Sequence, residues 1–392
     1  MLDEARTHEV SARTATLQSI ETPCLILDSD RMERNVKRLK ERLTNLGVAL
    51  RPHLKTAKSV DVARSVMLSD AGPATVSTLQ EAEQFAAAGV RDLIYAVGIA
   101  PAKLNRVLAL RAGGIDVAVI LDTIEQARAV SAASRASGTS IPALIEIDSD
   151  GHRSGVAPDD SVRLLEIGRE LHGNGAALRG VLTHAGGSYD ARGRVALERC
   201  AEQERAGAVA AATVLREAGL PCPVVSVGST PTAHFCRDLT GVTEVRAGVF
   251  VFFDLFMAGI GVCTIDDIAV SVLATVIGHQ PAKGWILIDA GWMAMSKDLG
   301  TAKQQVSQGY GIVCDVRGKP YGDLLMSDAN QEHGIVTLRP GSNAVLPELA
   351  IGTRVRILPN HACATSAQHR SYQVVRGSSD VIEAEWPRFG GW

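Results

Sequence analysis

The sequence has no apolar run long enough to cross a bilayer. Its most apolar stretch, Gly248 to Val262, is interrupted by Asp254 and falls short of the roughly 20 residues that a membrane helix requires. Neither sign of charge dominates: 40 Lys and Arg stand against 43 Asp and Glu, a net charge of -3, so nothing points to a general nucleic-acid binder. The seven cysteines are odd in number, scattered and without a CxxC pair, which argues against a disulfide framework and for reduced thiols. Met1 to Glu21 carries Asp3, Glu4, Arg6, Glu9 and Arg13 and lacks the apolar segment of a secretory signal, so the cytoplasm is the expected compartment. Internal repeats, low-complexity tracts and a Pro- or Ser-rich linker are lacking too, which predicts closely packed domains.

What is there is a chain of 392 residues, 46% hydrophobic and 21% charged, the profile of a globular protein larger than one ordinary domain. From Thr22 to about Asp254, short aliphatic runs alternate with amphipathic stretches, giving about eight βα units. The expected strands are Cys24-Leu27, Ala49-Pro52, Thr75-Ser77, Leu93-Ala96, Val117-Leu121, Ala143-Ile147, Gly180-Leu182 and Val224-Val227. The clearest helix carries Met32, Val36, Leu39 and Leu43 on one stripe, with Asp30 as its expected N-cap. No GxGxxG follows the first strand, so an α/β fold with a (β/α)8 TIM-type barrel over 22–254 is predicted rather than an open sheet. After Asp254 the pattern turns to strands and Gly/Pro turns: Ile268-Ile277, Trp285-Asp289, Gly334-Leu338 and Arg354-Leu358. A C-terminal β-rich domain over 255–392 follows, with 1–21 expected to complete it.

Lys55, in Arg51-Pro52-His53-Leu54-Lys55-Thr56, falls at the C-terminal end of a predicted barrel strand, where barrel active sites lie. A lysine there suits a Schiff base with pyridoxal 5'-phosphate (PLP), and Lys58, three residues on, is its rival. Such a cofactor also needs a phosphate cradle. Two small-residue loops late in the barrel could form one: Ser226-Val227-Gly228-Ser229-Thr230-Pro231-Thr232 and Glu244-Val245-Arg246-Ala247-Gly248-Val249-Phe250. His361-Ala362-Cys363 has i, i+2 spacing, which on an extended segment would turn imidazole and thiolate to one face and toward one ion.

Together with Asp148-Ser149-Asp150-Gly151-His152-Arg153-Ser154-Gly155-Val156 and Thr183-His184-Ala185-Gly186-Gly187-Ser188-Tyr189, these motifs resemble the fold-type III PLP enzymes of the D-threonine aldolase and D-serine dehydratase group. The likeness extends from Thr22 to Trp392 and includes Asp289-Ala290-Gly291-Trp292-Met293-Ala294-Met295-Ser296 and Leu358-Pro359-Asn360-His361-Ala362-Cys363-Ala364-Thr365. It implies an alanine racemase-like barrel in which Lys55 binds PLP, Gly228, Ser229, Thr230, Gly248 and Val249 surround its phosphate, and Tyr189 lies in its pocket. Arg153 and Arg246 both resemble arginines near the cofactor, and either is a candidate to face the pyridine nitrogen.

An arginine there has too high a pKa to protonate that nitrogen, so another group must share the work of elimination. The resemblance supplies a metal held by His361 and Cys363, and the thiolate favours Zn²⁺ over Mn²⁺ or Mg²⁺. Two protein ligands leave positions open for water and substrate. The implied activity is PLP- and metal-dependent dehydration of a D-3-hydroxy amino acid, D-threo-3-hydroxyaspartate before D-serine, with Lys55 taking the Cα proton and a 2-oxo acid and ammonia as products. Racemases of this fold bring a tyrosine where this chain reads Asp289-Ala290-Gly291-Trp292, and an indole cannot accept a proton, which disfavours racemisation.

The alternative is a D-threonine aldolase, which uses the same lysine and metal, although aldolases of the group more often resemble an aspartate at Cys363. A non-catalytic PLP-carrier protein is a bare barrel, and the long segment after Asp254 counts against it. A dicarboxylate substrate needs a further cation, with Arg153, Arg246, Lys303 and His333 as the candidates. The partners expected are a small-molecule substrate and, by resemblance, a second copy of the chain in a homodimer.

Overall fold

The computed structural model describes residues 15–392. Eight parallel strands run in the order Ala49–Pro52, Glu244–Ala247, Val224–Val227, Ala177–Thr183, Pro142–Ile147, Asp116–Leu121, Asp92–Gly98, Ala74–Val76. A parallel bridge from His53 to Thr75, with Leu54 N–H donating to Thr75 O at 2.8 Å, brings the two outer strands together and closes the barrel. Helices cover its outside, as parallel strands buried on both faces require. Helix Ser29–Asn45 buries Met32, Val36, Leu39 and Leu43, the stripe that the spacing predicts. Its N-cap is Asp28 rather than Asp30: the Asp28 carboxylate accepts from Arg31 N–H, and Asp30 lies within the first turn.

The barrel strands differ from the sequence expectation in one exchange. Cys24–Asp28, expected as the first barrel strand, lies in the second domain, paired antiparallel with Val270–Gln280 and parallel with Ser371–Val375. A short apolar run reports burial on both faces, and the middle of either sheet satisfies it equally. The missing barrel strand is Glu244–Ala247, whose Glu244 and Arg246 break the apolar pattern. Both are buried and paired inside the barrel: Glu244 accepts from Arg51 Nε at 2.7 Å and from Ser226 Oγ at 2.6 Å, and Arg246 donates to Ser226 Oγ at 2.7 Å.

The second sheet has nine strands, in the order Trp285–Ile288, Gly334–Leu338, Pro320–Ala329, Gly311–Cys314, Arg354–Pro359, Val270–Gln280, Cys24–Asp28, Ser371–Val375, Ala384–Pro387. Trp285–Ile288 also pairs with Val270–Gln280, so the first six strands curl closed. Of the N-terminal stretch expected to complete this domain, residues 1–14 lie outside the described residues. Thr16 bridges Val381, and Leu17 is buried beside Ile26, Leu273 and Val375. No helix among the described residues is long and apolar enough to cross a membrane.

Candidate functional site

A cavity of about 420 Å³ opens between the C-terminal ends of the barrel strands and the second domain. Lys55 reaches it from the end of strand Ala49–Pro52, where His53 N–H still donates to Ala247 O at 2.7 Å before the chain turns. Lys58 does not share it: its Nζ is held by the buried Glu81 carboxylate at 3.1 Å. Burial, with Lys55 and Arg246 close by, pushes the His53 imidazole well below its usual pKa, and His184 falls to about 3 for the same leading reason. Both rings are therefore neutral, and Lys55, Arg153 and Arg246 line the barrel side of the cavity.

The two arginines differ sharply. Arg246 is buried, with Nη1 donating to Ser226 Oγ at 2.7 Å and Nη2 to Thr183 O at 2.5 Å. Burial lowers it to about 10, which still leaves it charged at neutral pH. Arg153 is half exposed and meets Glu146 only at 3.7 Å. Lys303 and His333, the other candidates for a substrate carboxylate, are exposed and are not among the cavity residues. Lys303 sits on the turn Gly300–Lys303, and His333 on the hairpin turn where its carbonyl accepts from Asn330 N–H at 2.8 Å.

One wall of the cavity is made of loops that only small residues can form. A Cβ on Gly228, whose φ is +142°, would lie 1.9 Å from Arg246 O. Ser229 is committed to its neighbours, its Oγ capping Thr232 N–H at 3.2 Å and meeting Ser188 Oγ at 2.9 Å. Thr230 Oγ1, by contrast, is buried without a hydrogen-bond partner. Gly248 faces this wall, with space for a Cβ only 3.2 Å from His53 O and Thr56 Oγ1. Tyr189 stands beside it, ring centroid 6.0 Å from His184 and 6.2 Å from Phe256, its phenol pushed up by burial.

The second domain closes the opposite side with His361 and Cys363. The expectation of an extended segment is corrected: His361 is extended, but Cys363 already lies in the short helix Ala362–Ser366. The side chains still meet. Burial opposes charge on both, yet the hydrogen bond to Asp298 and the neighbouring Cys363 hold the imidazole up, and the neighbouring His361 holds the thiol down. Asp298 Oδ2 lies 2.5 Å from His361 Nδ1 and Cys363 Sγ donates to Thr56 Oγ1 at 3.2 Å. Among the described residues no group of three or more His, Cys, Asp and Glu is placed to hold a metal; the two predicted ligands stand here as a pair, with Asp298 at the His361 ring.

All the predicted cofactor and metal residues thus face one cavity: Lys55, Arg153, Tyr189, the Gly228 and Gly248 loops, Arg246, His361 and Cys363. Sequence reasoning missed two carboxylates. Asp254 is buried, accepting from Met257 N–H at 2.9 Å and from Ala362 N–H at 3.0 Å, and so ties the barrel's end to the His361–Cys363 segment. Its signal was visible, as the lone charge in the most apolar stretch of the chain. Asp298 carries no local signal at all.

A barrel whose lysine faces two Gly-bearing loops, capped by a β domain, defines the alanine racemase type of architecture. The alanine racemase N-terminal domain family matches residues 27–255, and a putative serine dehydratase domain matches 269–375. The chain belongs to this family of racemase-like barrels joined to a dehydratase domain. It is 54% identical to D-threo-3-hydroxyaspartate dehydratase of Delftia sp. (strain HT23), over 96% of this chain and 99% of that one. A D-threonine aldolase of Arthrobacter sp is 30% identical, over 94% and 92%. A solved structure of a cysteine-to-alanine mutant of D-threo-3-hydroxyaspartate dehydratase, in the metal-free form, is 53% identical over 96% of this chain and 100% of its own, with a TM-score of 0.93.

Proposed function

We propose that this protein is a dehydratase of D-3-hydroxy amino acids that converts D-threo-3-hydroxyaspartate to oxaloacetate and ammonia with the help of PLP and a divalent metal, zinc by its ligands. The observation that carries this reading is the meeting of Lys55, the Gly228–Thr230 wall and the His361–Cys363 pair in one cavity. The likeness to a D-threo-3-hydroxyaspartate dehydratase supports the choice of substrate.

The residues fit both groups. Thr230 Oγ1 is a buried hydroxyl without a partner, and a Cβ at Gly228 would fill the wall where a phosphate would approach, as expected of a phosphate cradle. Lys55 would tether PLP, and Arg153 and Arg246 would counter its charge. A thiolate and an imidazole that gives up its second proton to the ion suit zinc, and Asp298 at Nδ1 leaves that other ring nitrogen of His361 to the ion. When bound, PLP makes the Cα proton acidic and the metal acts as a Lewis acid on the β-oxygen, whose departure as hydroxide is otherwise slow.

The chain's own residues do the rest. Lys55 Nζ takes the Cα proton. Arg246, pinned by Ser226 and Thr183, holds its charge at a fixed place on the cavity wall. With His53 and His184 neutral, the charge on that wall does not change with their titration near neutral pH. Loss of water leaves an enamine, which hydrolyses to the 2-oxo acid and ammonia, so that atoms balance. The protein acts in this reading as a homodimer in the cytoplasm. The dimer follows the family likeness, and the compartment suits seven unpaired cysteines.

The test is product analysis with D-threo-3-hydroxyaspartate, D-serine and D-threonine offered separately, with and without chelation. Oxaloacetate or pyruvate with ammonia, lost on chelation and restored by zinc, is expected. Glycine and acetaldehyde from D-threonine would move the assignment to an aldolase. PLP binding without turnover would make the chain a carrier.

A further inference from the structure

We propose that Arg388, near the C-terminus and outside the cavity, is a positioning residue that sets the spacing between the lysine loop of the barrel and the His361–Cys363 pair of the second domain. The inference rests on the reading above, in which the two act on one substrate.

Arg388 directly follows the last strand, Ala384–Pro387, and its guanidinium gathers carbonyls from both sides of the domain joint. Nε donates to Ala57 O at 3.0 Å and to Tyr372 Oη at 2.9 Å. Nη1 donates to Ser366 O and, at 2.9 Å, to His369 O. Ala57 lies two residues beyond Lys55, and Ser366 ends the helix that carries Cys363. One rigid, planar group therefore spans the backbone of both halves of the site, a task for which a lysine's single ammonium has no matching geometry.

Its surroundings reinforce the same spacing. Tyr372 is fully buried, its ring 5.5 Å from the guanidinium, and its O–H donates to the same Ala57 carbonyl at 2.8 Å. The next residue, Phe389, donates its N–H to Lys58 O at 3.0 Å and sets its ring edge-on to Phe85 at 5.0 Å. Lys58 has a φ of 45°, a backbone region that L side chains rarely adopt, so the end of the lysine loop needs such holding. On the cavity side of the joint, Cys363 Sγ reaches Thr56 Oγ1 at 3.2 Å, one residue from Lys55. The lysine loop is thus clasped by the chain's own end from behind and by the cysteine from in front.

A residue that merely docks the C-terminus would, when removed, cost stability and loading. A positioning residue costs turnover at full loading, because a displacement of about 1 Å between reacting groups is worth roughly a hundredfold in rate. The experiment compares wild type, Arg388→Ala, Arg388→Lys and the milder Tyr372→Phe, each with PLP and zinc content measured and kcat expressed per loaded site. Expected are a fall in kcat of roughly ten- to a hundredfold for both arginine variants, KM changed by less than about threefold, and a smaller fall for Tyr372→Phe. In a crystal structure of Arg388→Ala the Cys363 Sγ to Thr56 Oγ1 contact should open beyond about 4 Å, past the reach of a sulfur hydrogen bond. A kcat per loaded site unchanged within about twofold in both Arg388→Ala and Tyr372→Phe, or full rescue by lysine, overturns the proposal. Failure of the functional reading shows elsewhere, as wild-type protein that yields no oxo acid or a Lys55→Ala variant that still does.

Discussion

At the scale of single residues, side chains of the site such as His361 and Arg246 are held by a second one, and the holding partner is what sequence patterns conceal. Lys55, Gly228 and the His361–Cys363 spacing are local signals, readable because their chemistry is carried by neighbours in the chain. Asp298 reaches His361 from 63 residues away, a pairing that no periodicity encodes. Its carboxylate holds Nδ1 and, in the proposed site, would leave the far nitrogen for the ion. Asp298→Ala should therefore weaken zinc binding by roughly ten- to a hundredfold in competition with a chromophoric chelator. Affinity within about twofold of wild type would mean that His361 is oriented without it. For Lys55 and Lys58 too a partner sets the placement, since Glu81 holds Lys58 out of the cavity and Lys55 lines it. Borohydride reduction of the PLP-loaded protein followed by peptide mapping should place the cofactor label on Lys55 in both wild type and Lys58→Ala. Label on residue 58 in the wild type would reverse the assignment.

At the scale of elements, helices were easier to read than strands because a stripe such as Met32, Val36, Leu39 and Leu43 names the buried face directly. Strands report only that they are buried, so Cys24–Asp28 could not reveal which sheet it joins, and Glu244–Ala247 was hidden by charges that only its neighbours neutralise. The short helix Thr230–Phe235 shows the cost of burial from the other side. His234 Nδ1 donates to Thr230 O at 2.9 Å, its Nε2 is buried without a partner, and its ring packs 5.4 Å from Phe253. Burial pulls its pKa down to about 4. A folded-state pKa below the unfolded value near 6.5 means that the unfolded chain binds the extra proton first. Stability is accordingly full above about pH 6.5 and is lost as pH falls toward 4. His234→Asn can keep the bond to Thr230 O without a titrating ring. Its stability in urea should fall less steeply across that window, by at most about 1.4 kcal/mol per pH unit relative to wild type. Parallel slopes for the two proteins would show that His234 does not carry this acid sensitivity.

At the scale of the whole molecule, the barrel and the β domain each hold half of a site that exists only where they meet. The lysine, the arginines and the Gly228–Thr230 wall belong to the barrel, while the His361–Cys363 pair belongs to the second domain and is tied back to the barrel through Asp254 and Thr56. In the proposed reading each bound group would order the joint, and what one orders the other would no longer have to. Thermodynamic linkage makes this mutual: if PLP tightens zinc binding by some factor, zinc tightens PLP by the same factor. Coupling of this kind commonly amounts to about 1–3 kcal/mol, a factor of roughly 5–150. Removing either group should lower the thermal midpoint, and removing both should lower it by less than the sum of the two separate losses. Zinc affinity measured by chelator competition with and without PLP gives the coupling from one side, and PLP affinity with and without zinc gives it from the other. Two equal factors above one are expected. Equal factors of one would mean that the halves of the site bind independently and that the joint is already rigid before either group arrives.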